Sequence, residues 1–282
     1  MPELPEVETV RRGLEPVLAG VRLEAVVQHR PDLRLAFPEA FARRLEGAEV
    51  LALQRRAKYL LMPLSTGETW VTHLGMTGRF VLAGEVMGRH VTQVGAERHR
   101  HLSLRAGATE VAYVDPRRFG FMGLISSEAI ETHPWFSGLG PEPLGNGFSA
   151  DYLQRALHGR RQPVKLALLD QRIVAGLGNI YVCEALHRSR ISPLRASGAL
   201  SDGEAATVVA HVRDVLDEAI RAGGSTLRDF ANAEGGQGYF QHDFAAYGRE
   251  GEPCRSSGCS GTIARMVQGG RSTFFCPDCQ RA

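Results

Sequence analysis

Four cysteines stand close together near the end of the chain, Cys254, Cys259, Cys276 and Cys279, in the pattern C-x4-C-x16-C-x2-C. Two short pairs separated by a gap of about 15–20 residues are the arrangement of a four-thiolate zinc site. Each pair sits on a tight turn, and the gap has room for two strands that bring the pairs together. One structural Zn2+ would stand in for the hydrophobic core that a segment of about 40 residues cannot build alone. The competing reading is two disulfides. The acidic start MPELPEVE has no basic segment followed by an apolar run, so a secretory signal is not expected and a cytosolic protein is. The x4 spacing lies at the long edge of the usual range. Cys183, in an apolar helical stretch, reads as a small buried side chain.

Amine chemistry has few places to reside. The chain carries 33 basic residues and only two are lysines, Lys58 and Lys165. The third candidate nitrogen belongs to Pro2. Removal of Met1 would give Pro2 a free secondary amine, with a pKa near ~8 for a terminal amine. Such an amine adds to a sugar aldehyde or anomeric carbon to form an iminium ion, which acts as an electron sink. Glu3 stands beside it to exchange protons. The same PELPE residues also begin a helix well: Pro5 suits a first turn, and Glu3 and Glu6 suit the positive end of the helix.

Weaker signals lie further along. His73-Leu74-Gly75-Met76-Thr77-Gly78 reads as a strand ending in a tight turn that presents Met76, either as a wedge against a base stack or as local packing. Asp115-Pro116-Arg117-Arg118-Phe119-Gly120 sets two cations and an aromatic ring on a loop bounded by Pro and Gly, which suits phosphate contact and insertion into a stack, or a surface turn with one anchoring ring. The turn Gly176–Asn179 precedes a helix and offers amides to an anion. His99 and His101 alternate with Arg100 on a strand and are given no metal. Between Arg155 and Arg195 there are eight basic residues against two acidic ones, a polyanion-binding face or a solvated surface.

The elements that position these residues follow from periodicity. Over 282 residues the net charge is +2 and the hydrophobic share 43%, with no apolar run long enough to span a membrane. Residues 5–19 read as a helix, with Val7, Val10, Leu14 and Val17 on one face. Strands are expected at Arg22–Gln28, Glu49–Gln54, Tyr59–Leu64, Thr69–Leu74, Arg79–Leu82, His101–Arg105, Val111–Val114 and Phe121–Ile125, a sandwich or barrel. Residues 126–148 read as a linker. Helices follow from Ser149 to His158, Pro163 to Asp170 and Ile180 to Arg188. A long helix opens at a Ser201/Glu204 capping box and stops at Gly223–Gly224. Residues 232–238 read as a flexible loop.

These motifs together resemble one family, the bacterial formamidopyrimidine-DNA glycosylases. The match runs through PELPEVETVRRGLEP at the start, QRRAKYLL at 54–61, HLGMTG at 73–78, DPRRFG at 115–120, LGPEPL at 139–144, GLGNIYVCEAL at 176–186, GGSTLRDF at 223–230, YGREGEPC at 247–254 and GGRSTFFCPDC at 269–279. The resemblance implies an α+β multidomain fold. Residues 1–130 would form an N-terminal helix plus β-sandwich with the catalytic groups. Residues 131–240 would form a helix–two-turns–helix domain, and 241–282 a zinc finger whose β-hairpin enters the minor groove. Damaged double-stranded DNA would lie in the cleft between the halves of a monomer.

The implied chemistry is excision of oxidised purines, 8-oxoguanine and formamidopyrimidines, followed by β- and δ-elimination. Pro2 would be the nucleophile, Glu3 the general acid and Glu6 a supporting carboxylate. Lys58, which the resemblance puts on the strand after QRRA, and Arg271 would act at the phosphates next to the lesion. DNA contacts would come from His73, Met76, Arg117, Arg118, Phe119, Asn179 and Arg271, with Met76, Arg117 and Phe119 filling the hole left by the flipped base. A loop at 222–240 would close over that base, with Tyr239 nearby. Two features depart from the family: the x4 spacing, where many members have two residues, and Arg100, where an acidic residue often stands. The sister class resembling endonuclease VIII acts on oxidised pyrimidines and usually carries other wedge residues; a damage-binding protein without catalysis would not need Pro2 and Glu3.

Overall fold

A computed structural model describes residues 2–86, 89–91, 99–225 and 239–281. The chain divides into two compact units, Met1–Ser137 with Ala222–Tyr239, and Gly138–Arg221 with Phe240–Ala282.

The first unit opens with α1 (Leu4–Leu18), then β1 (Val21–Gln28), a short α2 (Phe41–Leu45), β2 (Glu49–Val50), β3 (Gln54–Arg56), β4 (Tyr59–Pro63), β5 (Glu68–His73), β6 (Arg79–Val86), β7 (Arg89–Val91), β8 (Arg100–Ala106), β9 (Thr109–Val114) and β10 (Phe121–Ser126). The strands form two sheets, ordered β2-β1-β8-β9-β6-β7 and β10-β5-β4-β3, with antiparallel pairing. Alternating strand residues and the helix face Val7, Val10 and Leu14 meet in one apolar cluster with Leu23, Trp70, Phe80 and Tyr113. The helical spacing of α1 is thus the spacing of its buried face. The strand expected at Glu49–Gln54 is divided: Glu49–Val50 pairs in the larger sheet and Gln54–Arg56 in the smaller one. Residues 51–53 carry the chain from one layer to the other, with Leu53 turned into the core.

The second unit holds α3 (Ala150–Leu157), α4 (Val164–Leu169), α5 (Asn179–Arg188), α6 (Asp202–Arg221) and the hairpin β11 (Ala264–Gln268) and β12 (Arg271–Phe275). Ser149 caps α3, its Oγ accepting from Tyr152 N at 3.1 Å. The capping box of α6 is complete: Glu204 N donates to Ser201 Oγ (3.3 Å) and Ser201 N to Glu204 Oε2 (2.8 Å). The segment read as a linker is largely fixed in place. Phe136 and Phe148 are buried, and Arg213 donates to the carbonyls of Pro143, Gly145 and Phe148. Among the described residues no helix is long and apolar enough to cross a membrane. The expectation of a flexible loop at 232–238 lies outside the described residues.

Candidate active site and nucleic-acid interface

Pro2, Glu3 and Glu6 are buried at the start of α1. Glu6 is the hub. Its Oε2 accepts the Glu3 backbone N–H at 2.8 Å, and its Oε1 accepts the Ser225 backbone N–H at 2.8 Å. One carboxylate therefore fixes the extended residue Glu3 and also Ser225. Ser225 in turn pairs with Tyr239 in an isolated antiparallel bridge. Glu8, two residues after Glu6, binds Arg11, Arg12 and Arg55. Its link to Arg55 (3.3 Å) and the Arg11 bond to Leu53 O (3.3 Å) tie α1 to β3.

Lys58 follows directly. It lies in the two-residue turn between β3 and β4, where Arg56 pairs with Tyr59, and not on a strand as expected. Ala57 takes a left-handed φ of 52°, which a residue with a Cβ adopts at a cost, and Arg55 Nη1 bonds Ala57 O at 3.1 Å to hold it. Lys58 is buried.

His73 closes β5 on the same sheet. Its ring stacks on Phe121 (centroids 5.1 Å, 7°) and meets Tyr59 edge-on. Burial, then the charges of Lys58 and Arg34, push its pKa down to about 4. The ring is neutral at pH 7. Nδ1 accepts the Gly75 N–H at 3.0 Å, which leaves the ring proton on Nε2 as a donor. The unfolded chain takes up a proton near pH 6.5, before the folded one does. The stability from neutral His73 is therefore full above pH 6.5 and is lost as pH falls towards 4, at about 1.4 kcal/mol per pH unit. We expect His73→Gln to flatten this part of the stability profile in denaturant titrations; an unchanged slope would count against a buried neutral ring.

The two weak motifs, HLGMTG and DPRRFG, interlock. Asp115 is fully buried; its carboxylate accepts from the Thr77 hydroxyl and, at 2.8 Å, from Gly120 N. Arg117 N donates to Thr77 Oγ1 at 3.2 Å. Gly75 has φ +63°, and a Cβ there would lie 2.3 Å from the Phe119 carbonyl carbon, so only glycine lets the turn and the loop touch. The paired loops present Met76 partly exposed and Phe119 at 42% exposure, with the Arg117 guanidinium 4.7 Å over the Phe119 ring. Arg118 points elsewhere, 3.8 Å from Asp32. His101 is buried with Nε2 2.8 Å from Asp115 O. Arg100 pairs with Glu110 across β8 and β9. We expect Asp115→Ala to strand the Thr77 hydroxyl and Gly120 amide, to cost about 2–4 kcal/mol of stability in chemical denaturation, and to leave zinc content intact. Wild-type stability would remove Asp115 from this role.

In the second unit, α5 begins at Asn179, one residue before the expected start. The Asn179 side chain is not left to solvent: its Nδ2 donates to Ser272 O at 2.8 Å. This ties the helix start to the strand beside Arg271, which is exposed just past the hairpin turn. Gly269 and Gly270 both take positive φ (54° and 72°), the turn that matches strand twist. Lys165 is wholly buried, with Nζ 2.6 Å from Thr273 Oγ1. Of the three candidate nitrogens it is thus sealed inside the helical unit. Within the basic stretch, Arg172, Arg188 and Arg195 pair with Asp170, Glu218 and Glu204.

The sulfurs of Cys254, Cys259, Cys276 and Cys279 lie within 4.8 Å of one another, and all four thiols are free. Sγ separations of 3.8 Å (Cys254–Cys279) and 3.6 Å (Cys259–Cys276) match the edge of a tetrahedron with Zn–S bonds of about 2.3 Å. The apolar cluster around them has only Ala246, Ile263 and Cys276 fully buried. Four sulfur ligands suit one structural Zn2+ with no open position for water.

The chain matches the formamidopyrimidine-DNA glycosylase N-terminal domain over residues 1–122, the H2TH domain of those enzymes over 139–231, and a zinc finger found in FPG and IleRS over 251–282. It is 58% identical to the formamidopyrimidine-DNA glycosylase of Caulobacter vibrioides over 99% of this chain and all of that one. The chain belongs to the formamidopyrimidine-DNA glycosylase family. The Cereibacter sphaeroides enzyme of that name is 56% identical over the full length of both chains. Among solved structures, the MutM (Fpg) protein of Thermus thermophilus superposes with a TM-score of 0.85 at 40% identity, covering 99% of this chain and 98% of that one. Lactococcus lactis Fpg in complex with abasic-site DNA gives 0.87 at 32% identity, covering 99% and 100%.

Within this glycosylase framework, the residues that sequence reading passed over are those that hold the named ones: Glu8 and Arg55 behind Lys58, and Asp115 with Thr77 behind Phe119. Asp115 and Thr77 belong to DPRRFG and HLGMTG, and Asp before Pro is a turn-opening signal. Glu8 and Arg55 gave no signal beyond their charge.

Proposed function

We propose that this enzyme, a DNA glycosylase for oxidised purines, works through Pro2 and then cleaves the strand at the emptied site. After loss of Met1, the Pro2 nitrogen attacks C1′ of the flipped nucleotide. The N–C1′ bond forms as the bond to the base breaks, the proton of the Pro2 N–H leaves with the base, and Glu3 protonates the ring oxygen so that the sugar opens. The iminium so formed withdraws electrons from C2′. Loss of a C2′ proton expels the 3′ phosphate, and a second elimination expels the 5′ phosphate; hydrolysis then frees Pro2. Lys58 and Arg271 neutralise the departing phosphates, while His73, Arg118 and Asn179 hold the backbone on either side.

The observation that carries this reading is the double use of Glu6, which fixes the Glu3 backbone and Ser225 with one carboxylate. Glu3, whose side chain accepts the Glu6 backbone N–H to close the capping box, is the acid beside Pro2. Lys165 Nζ is bound to Thr273 Oγ1 within the second unit, which supports a nucleophile at the chain start. The test is excision from end-labelled duplexes. Release of 8-oxoguanine opposite cytosine, with a one-nucleotide gap flanked by phosphates, is expected, and thymine glycol should be a poor substrate. Preferential release of thymine glycol would move the chain's activity to oxidised pyrimidines.

A further inference from the structure

We propose that His187 is a positioning residue of the zinc finger: an Nε2–H bond to the Cys254 sulfur holds the first ligand pair against α5 and slows loss of the metal. His187 is buried near the C-terminal end of α5. Its Nε2 lies 3.3 Å from Cys254 Sγ and 3.4 Å from Ser256 Oγ, and its buried Nδ1 has no partner among the described residues. A neutral imidazole has one N–H and one lone pair, and a metal-bound thiolate can only accept. With the proton on Nδ1, a donor would be buried unpaired and a lone pair would face the sulfur. With the proton on Nε2, the sulfur gains a donor and only an acceptor goes unused.

The long first knuckle supports the assignment. Its residues reach α5 and the turn that follows it: Ser256 Oγ lies 3.4 Å from His187 Nε2, and Ser257 O accepts from Arg190 Nη2 at 3.1 Å. Ser256 also donates its backbone N–H to Cys254 Sγ (3.4 Å), so this sulfur has donors from the knuckle and from the helix. Donors in the outer shell fix a ligand's orientation and offset its charge. At the other end of α5, Asn179 holds Ser272 beside Arg271. One helix therefore grips the finger at the metal and at the hairpin. The inference rests on the finger's zinc and not on the glycosylase chemistry, so the two fail independently.

The test uses the full-length, zinc-loaded protein and transfer of zinc to 4-(2-pyridylazo)resorcinol, followed by absorbance. His187→Phe removes the donor and should release zinc about 10-fold faster. His187→Gln places an amide N–H where Nε2 stood and should stay close to the wild-type rate. His187→Asn is too short to reach the sulfur and should behave like the Phe variant. In the cobalt-substituted protein, the sulfur-to-metal charge-transfer band should move in the Phe and Asn variants and return in Gln. If His187 only fills space, Phe retains zinc best and Gln loses it, with no ordered change in the band; that result overturns the proposal. Should the Phe variant not fold, the Gln and Asn pair decides, and equal rates for the two overturn it as well.

Discussion

Cys276→Ser should release the zinc and weaken binding to lesion-bearing duplex by at least about 100-fold, with the first unit still folded. The reasoning starts from size. The finger has three fully buried apolar residues around its sulfurs, and Cys276 is one of them. A segment this short cannot build a hydrophobic core of its own, so metal binding and folding are coupled there. Arg271 sits two residues past the start of the Gly269–Gly270 turn, and Asn179 and Lys165 anchor the strand that follows. Without the metal, those anchors hold one strand of an unfolded hairpin, and the exposed guanidinium loses its fixed position. Zinc content by atomic absorption and affinity by fluorescence anisotropy check this. Full affinity in a metal-free variant would show that the finger needs no zinc. Added salt should lower affinity of the intact protein, because phosphate contacts displace counterions.

Pro2→Gly should cut 8-oxoguanine excision on the order of 10³-fold, with zinc content and duplex affinity retained. Glycine keeps an amine but gives up the secondary nitrogen and the fixed φ of proline. An iminium from a secondary amine keeps its charge without a proton to lose, whereas one from glycine can lose its proton and the electron sink with it. The environment of the remaining residues is unaltered: Glu6 still accepts the Glu3 and Ser225 amides. Wild-type turnover in the Gly variant would place the chemistry elsewhere, and protein that retains Met1 should be as inactive as the variant, since its Pro2 nitrogen is an amide.

How far the sequence announces these features depends on the distance over which each is built. The zinc ligands lie in two short pairs, and Ser149, Ser201 and Glu204 act within one helical turn, so spacing alone reveals them. Alternation reveals the strands of both sheets, and a 3.6-residue period reveals the buried face of α1. The break between Val50 and Gln54 is hidden because Leu51-Ala52-Leu53 contains neither Gly nor Pro and continues the apolar run. The turn at Lys58 is hidden for a similar reason: the left-handed residue is Ala57, and nothing in alanine marks it. The supports of the site span long stretches of chain. Asp115 meets Thr77 across 38 residues and Arg55 meets Glu8 across 47. Only the folded sandwich brings these pairs together; local motifs specify the residues and not the contacts.

The most direct measurement is borohydride reduction during turnover on an 8-oxoguanine duplex, followed by peptide mass mapping of the trapped protein. The adduct is expected on the N-terminal peptide, at the Pro2 nitrogen, with Met1 absent and one deoxyribose-bearing oligonucleotide per chain. A crosslink mapped to Lys58 or Lys165, or no crosslink from protein that begins at Pro2 and excises the base, would contradict the account.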